Sequence, residues 1–489
     1  LREHDIPLYS LESFRPLGEF DIIGFSLQYE MSYTNVLNML DLAKIPLRRE
    51  ERTNKDPLVI AGGPLALTPE PISDFIDIFF VGDGEEKLPQ FIECFKAMKH
   101  SGNLSREEKI LSLVKEMKNL YAPSLYEVRE NMGCVPIFSG VPPVVRGASI
   151  SNLGKAFSPE SPVVPYVKTV FERISIEVMR GCTQGCRFCQ AGMTKRPNRI
   201  RSVDNILNMS GDCYRNTGHD EISLGALSIS DYPHLKDLMA RMGEVFNPQN
   251  VNIAFPSLRV SEELTELPSY LNTVRKSGLT FAPEAATTRL RKVINKNISN
   301  EDLFAGVREA YKEGWNLVKL YFMVGLPTET DEDVEEIAKL AYRVSSLRRE
   351  VKGSVGNVNI TVSPFVPKAH TPFQWEPMVS LERLKDIRRM IMSKIRHRRI
   401  RIKFSKPERS ILEGVFARGN RELGKVIIQA WQDGCRFDAW DDFFDYDKWV
   451  SAFEKTGLNE KPYLYRERGE DEVLPWDHVS SGTIKEFLQ

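Results

Sequence analysis

Three cysteines, Cys182, Cys186 and Cys189, stand in the string Arg180-Gly-Cys-Thr-Gln-Gly-Cys-Arg-Phe-Cys-Gln190. The run before them, Ile174-Ser-Ile-Glu-Val-Met179, reads as a strand, so the thiols sit on the loop that leaves it. Thiolates are the soft ligands that iron–sulfur clusters use. Three on one short loop can hold three irons of a cubane and leave the fourth open. An open metal position is what separates a reactive site from a closed structural one. Two other chemistries compete. A zinc site wants a fourth Cys or His at short spacing, and the next downstream histidine is His219. Cys186-Arg-Phe-Cys189 alone could form a dithiol redox pair, but that leaves Cys182 idle and lacks the usual small residue or Pro between the thiols.

The elements that must position this loop follow an α/β rhythm. From Arg173 the pattern predicts six strands, at 174–179, 221–225, 251–255, 278–282, 316–323 and 356–363, with helical stretches between them. Six such units make a partial (β/α)6 TIM-like barrel over residues 171–380, whose reactive end lies at the carboxyl ends of its strands. Upstream, Asp21–Leu27, Leu58–Ala61 and Ile78–Val81 are buried-type strands alternating with helices. They predict an incomplete doubly wound parallel sheet over 1–100. Three strands are few for such a sheet and the chain opens without a Met, so the reading expects further sequence upstream. Residues 101–170, polar and then Pro-rich, read as a linker, and 381–489 as a helical and irregular C-terminal extension.

Composition excludes little but is consistent. The 489 residues are 42% apolar and 27% charged with a formal net charge of −1, so any pull toward nucleic acid must come from a local patch. No stretch approaches the roughly 20 apolar residues of a membrane span. An open cluster would not survive an oxidising compartment, which points to the cytoplasm and to no membrane partner.

The C-x3-C-x2-C spacing, with Phe188 before the last Cys, resembles the signature of the radical S-adenosylmethionine (SAM) superfamily. The resemblance implies a [4Fe–4S] cluster whose open iron chelates SAM, an external electron donor, and a 5′-deoxyadenosyl radical as the reactive species. It also implies SAM contacts at successive strand ends: Gly225 after the second strand, Ser257 and Arg259 after the third, Glu284 opening a helix after the fourth, and Gly325 in an adenine-backing turn after the fifth. Capping of that helix is an equal reading for Glu284. No catalytic residue is assigned; Lys319 and Tyr321 share one face of the fifth strand and are more often structural. The run Lys195–Arg201 reads either as an anion site or as a solvated loop packed on the cysteine loop.

The N-terminal layout resembles the cobalamin-binding-type domain that precedes many radical SAM cores, with Gly62-Gly63 bordering the nucleotide tail. The His-bearing motif that would ligate cobalt is absent from this chain, so cobalamin stays an open cofactor. Gly82-Asp-Gly-Glu-Glu86 is disfavoured as a phosphate loop, because its acids would repel an anion. The chain as a whole resembles a radical SAM subfamily that fuses such a domain to the core. The expected function is radical modification, such as methyl or methylthio transfer, of an unknown substrate, RNA or protein. Two alternatives stand beside it: a nucleic-acid-binding adaptor driven by the basic stretch 383–403 with a structural cluster, and a zinc or dithiol redox protein.

Overall fold

Short apolar runs flanked by turn residues build the first sheet. The computed structural model describes residues 1–102, 104–254 and 278–489. In the N-terminal part the elements run β1 (Ile22–Ser26), α1 (Tyr33–Leu42), β2 (Leu58–Gly62), β3 (Ile78–Phe80), α2 (Lys87–Ser101), α3 (Arg106–Glu116) and β4 (Leu120–Tyr121). β1, β2 and β3 are parallel neighbours, and β4 closes the edge antiparallel to β3. Val59, Ile78 and Phe79 are fully buried, as expected of parallel strands covered on both faces.

The second sheet system follows in chain order: β5 (Ile174–Glu177), α4 (Gln190–Thr194), α5 (Val203–Thr217), β6 (Glu221–Gly225), α6 (Leu235–Phe246), β7 (Asn252–Ala254), β8 (Leu279–Glu284), α7 (Thr288–Val293), α8 (Asn300–Lys312), β9 (Leu317–Val324), α9 (Asp331–Lys352), β10 (Asn357–Pro364), α10 (Leu381–Lys394) and β11 (Ile400–Phe404). β5, β6 and β7 form one parallel sheet in the order β7-β6-β5, and β8 to β11 form another in sequence order. On β9 the buried Val318, Leu320, Phe322 and Val324 alternate with Lys319, Tyr321 and Met323. On β10 the fully buried Val358, Ile360 and Val362 continue the same face. Each such side chain contributes roughly 1.5–3 kcal/mol. All six strands expected from the sequence are present, and β11 adds a seventh. The fold is thus mixed α/β with parallel sheets.

The chain returns to the first unit with α11 (Pro407–Ala417), α12 (Leu423–Gln432) and α13 (Tyr446–Thr456). The first compact unit comprises Leu1–Ile150, Val366–Met378 and Glu408–Gln489; the second comprises Ser151–Phe365 and Val379–Pro407. Three of the expected boundaries are therefore corrected. Residues 101–150 are not linker: α3 is closed by a Ser105/Glu108 capping box, and Leu120 and Tyr121 are fully buried. Residues 366–378 leave the span read as barrel and pack in the first unit, where His370 Nε2 lies 3.0 Å from the Leu67 carbonyl oxygen. The stretch read as one C-terminal extension divides, α10 and β11 completing the second unit and 408–489 joining the first. Long-range pairing decides each of these.

Two glycine positions in the first unit are explained by its own packing. Gly63 has φ +93°, and a Cβ there would lie 2.6 Å from the Leu27 carbonyl oxygen. A Cβ at Gly82, φ +92°, would run into the backbone of Ala148. Gly62 meets only ordinary contacts with Phe80. Asp83 accepts a hydrogen bond from the Ile150 amide at 3.1 Å, so the Gly-Asp-Gly loop is tied down by its own chain.

Candidate functional site

The cysteine loop is closed at its base by a two-residue antiparallel ladder that pairs Arg180 with Arg199 and Met179 with Ile200. Gly181 permits the turn into it: its φ is +97°, and a Cβ would lie 2.7 Å from the Lys195 carbonyl oxygen. Within the loop, amides already point at sulfur. The Gln184 N–H donates to Cys182 Sγ at 3.4 Å, and the Gly192 N–H donates to Cys189 Sγ at 3.3 Å as Cys189 caps α4. Such hydrogen bonds stabilise thiolate and tune a bound cluster. All three cysteines are half-buried free thiols. Among the described residues they do not form a set with every sulfur within 4.8 Å, as ligands of one small ion would. A wider spacing suits a multi-iron cluster instead.

Three segments hold the loop from outside. Asp231, in the turn after β6, accepts from Thr183 Oγ1 and from Gln184 Nε2, each at 2.8 Å. Beyond α7, the Arg187 amide donates to the Ile294 carbonyl at 3.0 Å, and the Arg187 guanidinium donates to the Val293 carbonyl at 2.6 Å. Asn295 Nδ2 donates to the Gly185 carbonyl at 2.8 Å, which leaves no room for a Cβ at Gly185. The basic run 195–201 packs on the same loop. Arg196 donates to the carbonyls of Gly192 and Gln184, while Arg199 and Arg201 are buried. Of its two readings, the packed loop is the one realised, and its burial replaces the solvated form.

For an iron–sulfur cluster held by this loop, we expect Asp231→Ala to leave it able to assemble but quicker to lose iron. Two loop hydrogen bonds to a charged acceptor go with it, each worth about 1.5–3 kcal/mol. Iron release to a chelator, timed on wild type and variant, reads the effect; equal rates would show that the loop does not depend on Asp231.

Glu284 has an unusual conformation. It ends β8, where the pairing to β9 shifts: Phe281 lies opposite Leu320 but Glu284 opposite Phe322, one residue more on β8. Its φ is +66°, and the Ala285 amide reaches back to the Pro283 carbonyl at 2.8 Å. That i→i+2 bond with positive φ is a γ-turn of the strained kind. Bulges and strained residues re-aim side chains and cluster at reactive sites. Glu284 does not open a helix as the sequence suggested; Thr287 caps α7, so the capping explanation falls away. Burial pushes the Glu284 carboxyl up to about 7, against the pull of the Lys296 ammonium. Burial likewise raises the Cys189 thiol, with Cys182 and Glu284 adding to the rise and the Gly192 amide and Lys296 opposing it. Glu284 and Lys296 are thus within electrostatic reach of Cys189.

The turn after β9 is braced from the same side. Gly325 has φ +78°, and a Cβ would lie 2.6 Å from Val379 Cγ2. Its amide donates to Glu329 Oε2 at 2.6 Å. Asp333 caps α9 through Thr330, accepts from Thr287 Oγ1 at 2.5 Å and pairs with Arg289, which also donates to the Thr328 carbonyl at 2.8 Å. Asp333 therefore ties the start of α7 to the start of α9. Thr330 and Asp333 form a capping box that the sequence spells out; Asp231 and Asn295 carry no such local signal. Gly225 ends β6 opposite Glu177, and a Cβ there would make only ordinary contacts. Phe188 is half-buried in the cysteine loop. Ser257 and Arg259 lie outside the described residues. Lys319 and Tyr321 share one face of β9.

Glu329 gives a pH-dependent expectation. Burial pushes its carboxyl up to about 7, with Asp333 adding and the Gly325 amide and Arg383 opposing. The folded state therefore holds a proton that the unfolded state has released, and stability falls as pH rises from about 4.5 to about 7. Glu329→Gln keeps an acceptor for Gly325 and removes the charge. Its Tm should exceed that of wild type at pH 8 and match it near pH 4.5; an unchanged difference across that range would contradict the reading.

A parallel α/β unit with three thiols on the loop after its first strand, braced by neighbouring strand ends, defines a class of iron–sulfur enzymes that work at the carboxyl ends of their strands. Residues 176–341 match the radical SAM superfamily, and residues 1–123 match the family described as radical SAM proteins, N-terminal. The chain belongs to the radical SAM superfamily and is an enzyme.

An uncharacterised protein of Methanocaldococcus jannaschii is 28% identical over 459 residues, 94% of this chain and 91% of its own. The ribosomal protein uS12 methylthiotransferase RimO of Thermotoga sp. (strain RQ2) is 22% identical over 296 residues, 54% of this chain and 66% of its own. The tRNA-2-methylthio-N(6)-dimethylallyladenosine synthase of Petrotoga mobilis is 24% identical over 176 residues, 34% of this chain and 39% of its own. Among solved structures, the radical SAM methyltransferase TsrM of Kitasatospora setae, with cobalamin and a [4Fe–4S] cluster bound, gives a TM-score of 0.51 at 12% identity. That match covers 89% of this chain and 88% of TsrM, a likeness of fold. Among the described residues no helix is long and apolar enough to cross a membrane.

Proposed function

We propose that Cys182, Cys186 and Cys189 hold a [4Fe–4S] cluster, and that SAM binds beside it at the ends of β6, β8 and β9. The observation that carries this is the strained, half-buried Glu284 set within electrostatic reach of Cys189. The donor set fits: three thiols on one loop, with amides aimed at two of them and no compact single-ion grouping. When bound, the cluster supplies the electron that cleaves SAM to a 5′-deoxyadenosyl radical. The chain's own residues do the rest. Glu284 presents a carboxylate to the cationic or hydroxyl groups of SAM, and the Gly325 turn brings backbone close to its adenine. Gly225 and Phe188 line the approach, and Ser257 and Arg259 are assigned to the same ligand. Asp231, Arg187 and Asn295 fix the loop so that the geometry is set before SAM arrives. We assign the two parallel sheets of the second unit to one partial barrel around this site, and the protein to the cytoplasm.

The substrate we propose is an RNA or a protein receiving a methyl or methylthio group, by analogy with the named relatives. The adaptor reading is weakened by its own basic stretch. Arg383 pairs with Asp331, Arg389 with Asp386 and Lys394 with Glu335, while Arg388 stacks on Phe404. Cobalamin is the less supported cofactor, since Gly63 and Gly82 are required by Leu27 and Ala148 of the same chain. Anaerobic protein reconstituted with iron and sulfide, given SAM and a strong reductant, should release 5′-deoxyadenosine; none from cluster-loaded protein would reject the reading. The same protein, incubated with hydroxocobalamin and desalted, should retain little of it. Stoichiometric retention would overturn that part alone.

A further inference from the structure

Far along the sequence from the cysteine loop, the first unit gathers three donors of different kinds. Glu70 follows β2, Cys134 lies on the hairpin strand Gly133–Pro136, and His478 immediately precedes the short strand Val479–Ser480. One carboxylate oxygen, Cys134 Sγ and a ring nitrogen of His478 all lie within 4.8 Å of one another. Glu70 and His478 are buried, and Cys134 is half-buried.

Part of this cluster is a satisfied ion pair. The Tyr121 hydroxyl donates to Glu70 Oε1 at 2.5 Å, the Arg421 guanidinium donates to Glu70 Oε2 at 3.0 Å, and Arg421 also donates to the Tyr121 oxygen at 2.9 Å. A buried pair of this kind needs such company. It does not account for His478. The side chain is 3% exposed, and Nε2 points into the cluster 3.5 Å from Glu70 Oε1. Among the described residues Nε2 makes no hydrogen bond. A buried polar atom without a partner costs about 1–3 kcal/mol. A thiol beside it, 4.0 Å from the Tyr121 oxygen, adds a second soft donor to the same space.

We propose that Glu70, Cys134 and His478 bind one zinc-type divalent ion, separate from the cluster held by the cysteine loop. Mixed N, S and O donors select a borderline ion of this class over calcium or magnesium, which take oxygen sets. A single thiol cannot hold an iron–sulfur cluster. Tetrahedral ligation needs the three donor atoms roughly 3.3–3.8 Å apart; His478 Nε2 and Glu70 Oε1 already lie 3.5 Å apart, and the thiol lies within 4.8 Å of the other two donors. Binding releases the Cys134 proton. The ion with Glu70 carboxylate and Cys134 thiolate is neutral, and Arg421 leaves one positive charge over. The fourth position therefore favours an anion, such as hydroxide or an acidic group of a small molecule, reaching it from the half-buried Cys134 side.

The test uses full-length protein with its cluster already loaded, so that the cysteine loop is occupied. Zinc or cobalt(II) alone is the probe. Wild type should take up one equivalent beyond its iron, and cobalt(II) should show thiolate charge-transfer absorption with tetrahedral d–d bands. Cys134→Ser and His478→Gln should each weaken uptake about 100-fold or more, keep their iron and lose the charge-transfer band in the Cys134→Ser case. No uptake by cluster-loaded wild type overturns the proposal, as does uptake by both variants equal to wild type. The wild-type cobalt spectrum stands even where a variant fails to fold, and neither readout depends on SAM cleavage.

Discussion

Replacing any one of Cys182, Cys186 and Cys189 with Ala should leave anaerobically reconstituted protein with little iron and no SAM cleavage. The loop supplies no fourth cysteine, so each lost thiolate leaves a cluster iron to water. The remaining brace does not compensate. Asp231, Arg187 and Asn295 hold the loop through its side chains and backbone but offer no soft ligand. The folded chain itself should survive, because the three thiols are half-buried and contribute little packing. Iron and sulfide content, read with the thermal transition of each variant, checks both halves. Near-normal iron in all three variants would remove the cluster from this loop.

Glu284→Gln should separate binding from folding. Its positive φ and the bulge behind it are kept, since Gln is the same shape. The buried charge is lost, so stability above pH 7 should hold or rise, because a carboxyl pushed up to about 7 costs stability once ionised. SAM affinity should fall about 10–100-fold, the worth of one charge-assisted hydrogen bond. Equilibrium binding of SAM to cluster-loaded protein measures the loss, and iron content shows that the cluster remained. Unchanged affinity would make Glu284 a residue whose strain serves only the turn.

Much of the second unit could be read from the chain. Strands such as Leu317–Val324 are long, apolar on alternate positions and flanked by capped helices, so local physics settles them. The cysteine loop stood out for the same reason, its three thiols lying within eight residues. What escaped is everything that depends on distant pairing. Asp231 is an ordinary acid until the fold sets it beneath Thr183 and Gln184. Glu284 looked like a helix opener because the extra residue in β8 is visible only against β9. The partition of 381–489 between two units followed from β11 joining β10, with only Pro407 to mark the place.

That partition bears on how the polypeptide is made. The first unit cannot be completed when its first 150 residues leave the ribosome, because Val366–Met378 and Glu408–Gln489 belong to it. Partners such as Thr34 with Asp438, and Glu30 with Lys368, stay apart until late in translation. At about 5–20 residues per second, that interval is on the order of tens of seconds. For that time the nascent sheet keeps apolar surface and lone charges open to solvent. A premature stop before α13 should therefore damage Leu1–Ile150 more than Ser151–Phe365, and chaperone dependence should track Leu1–Ile150.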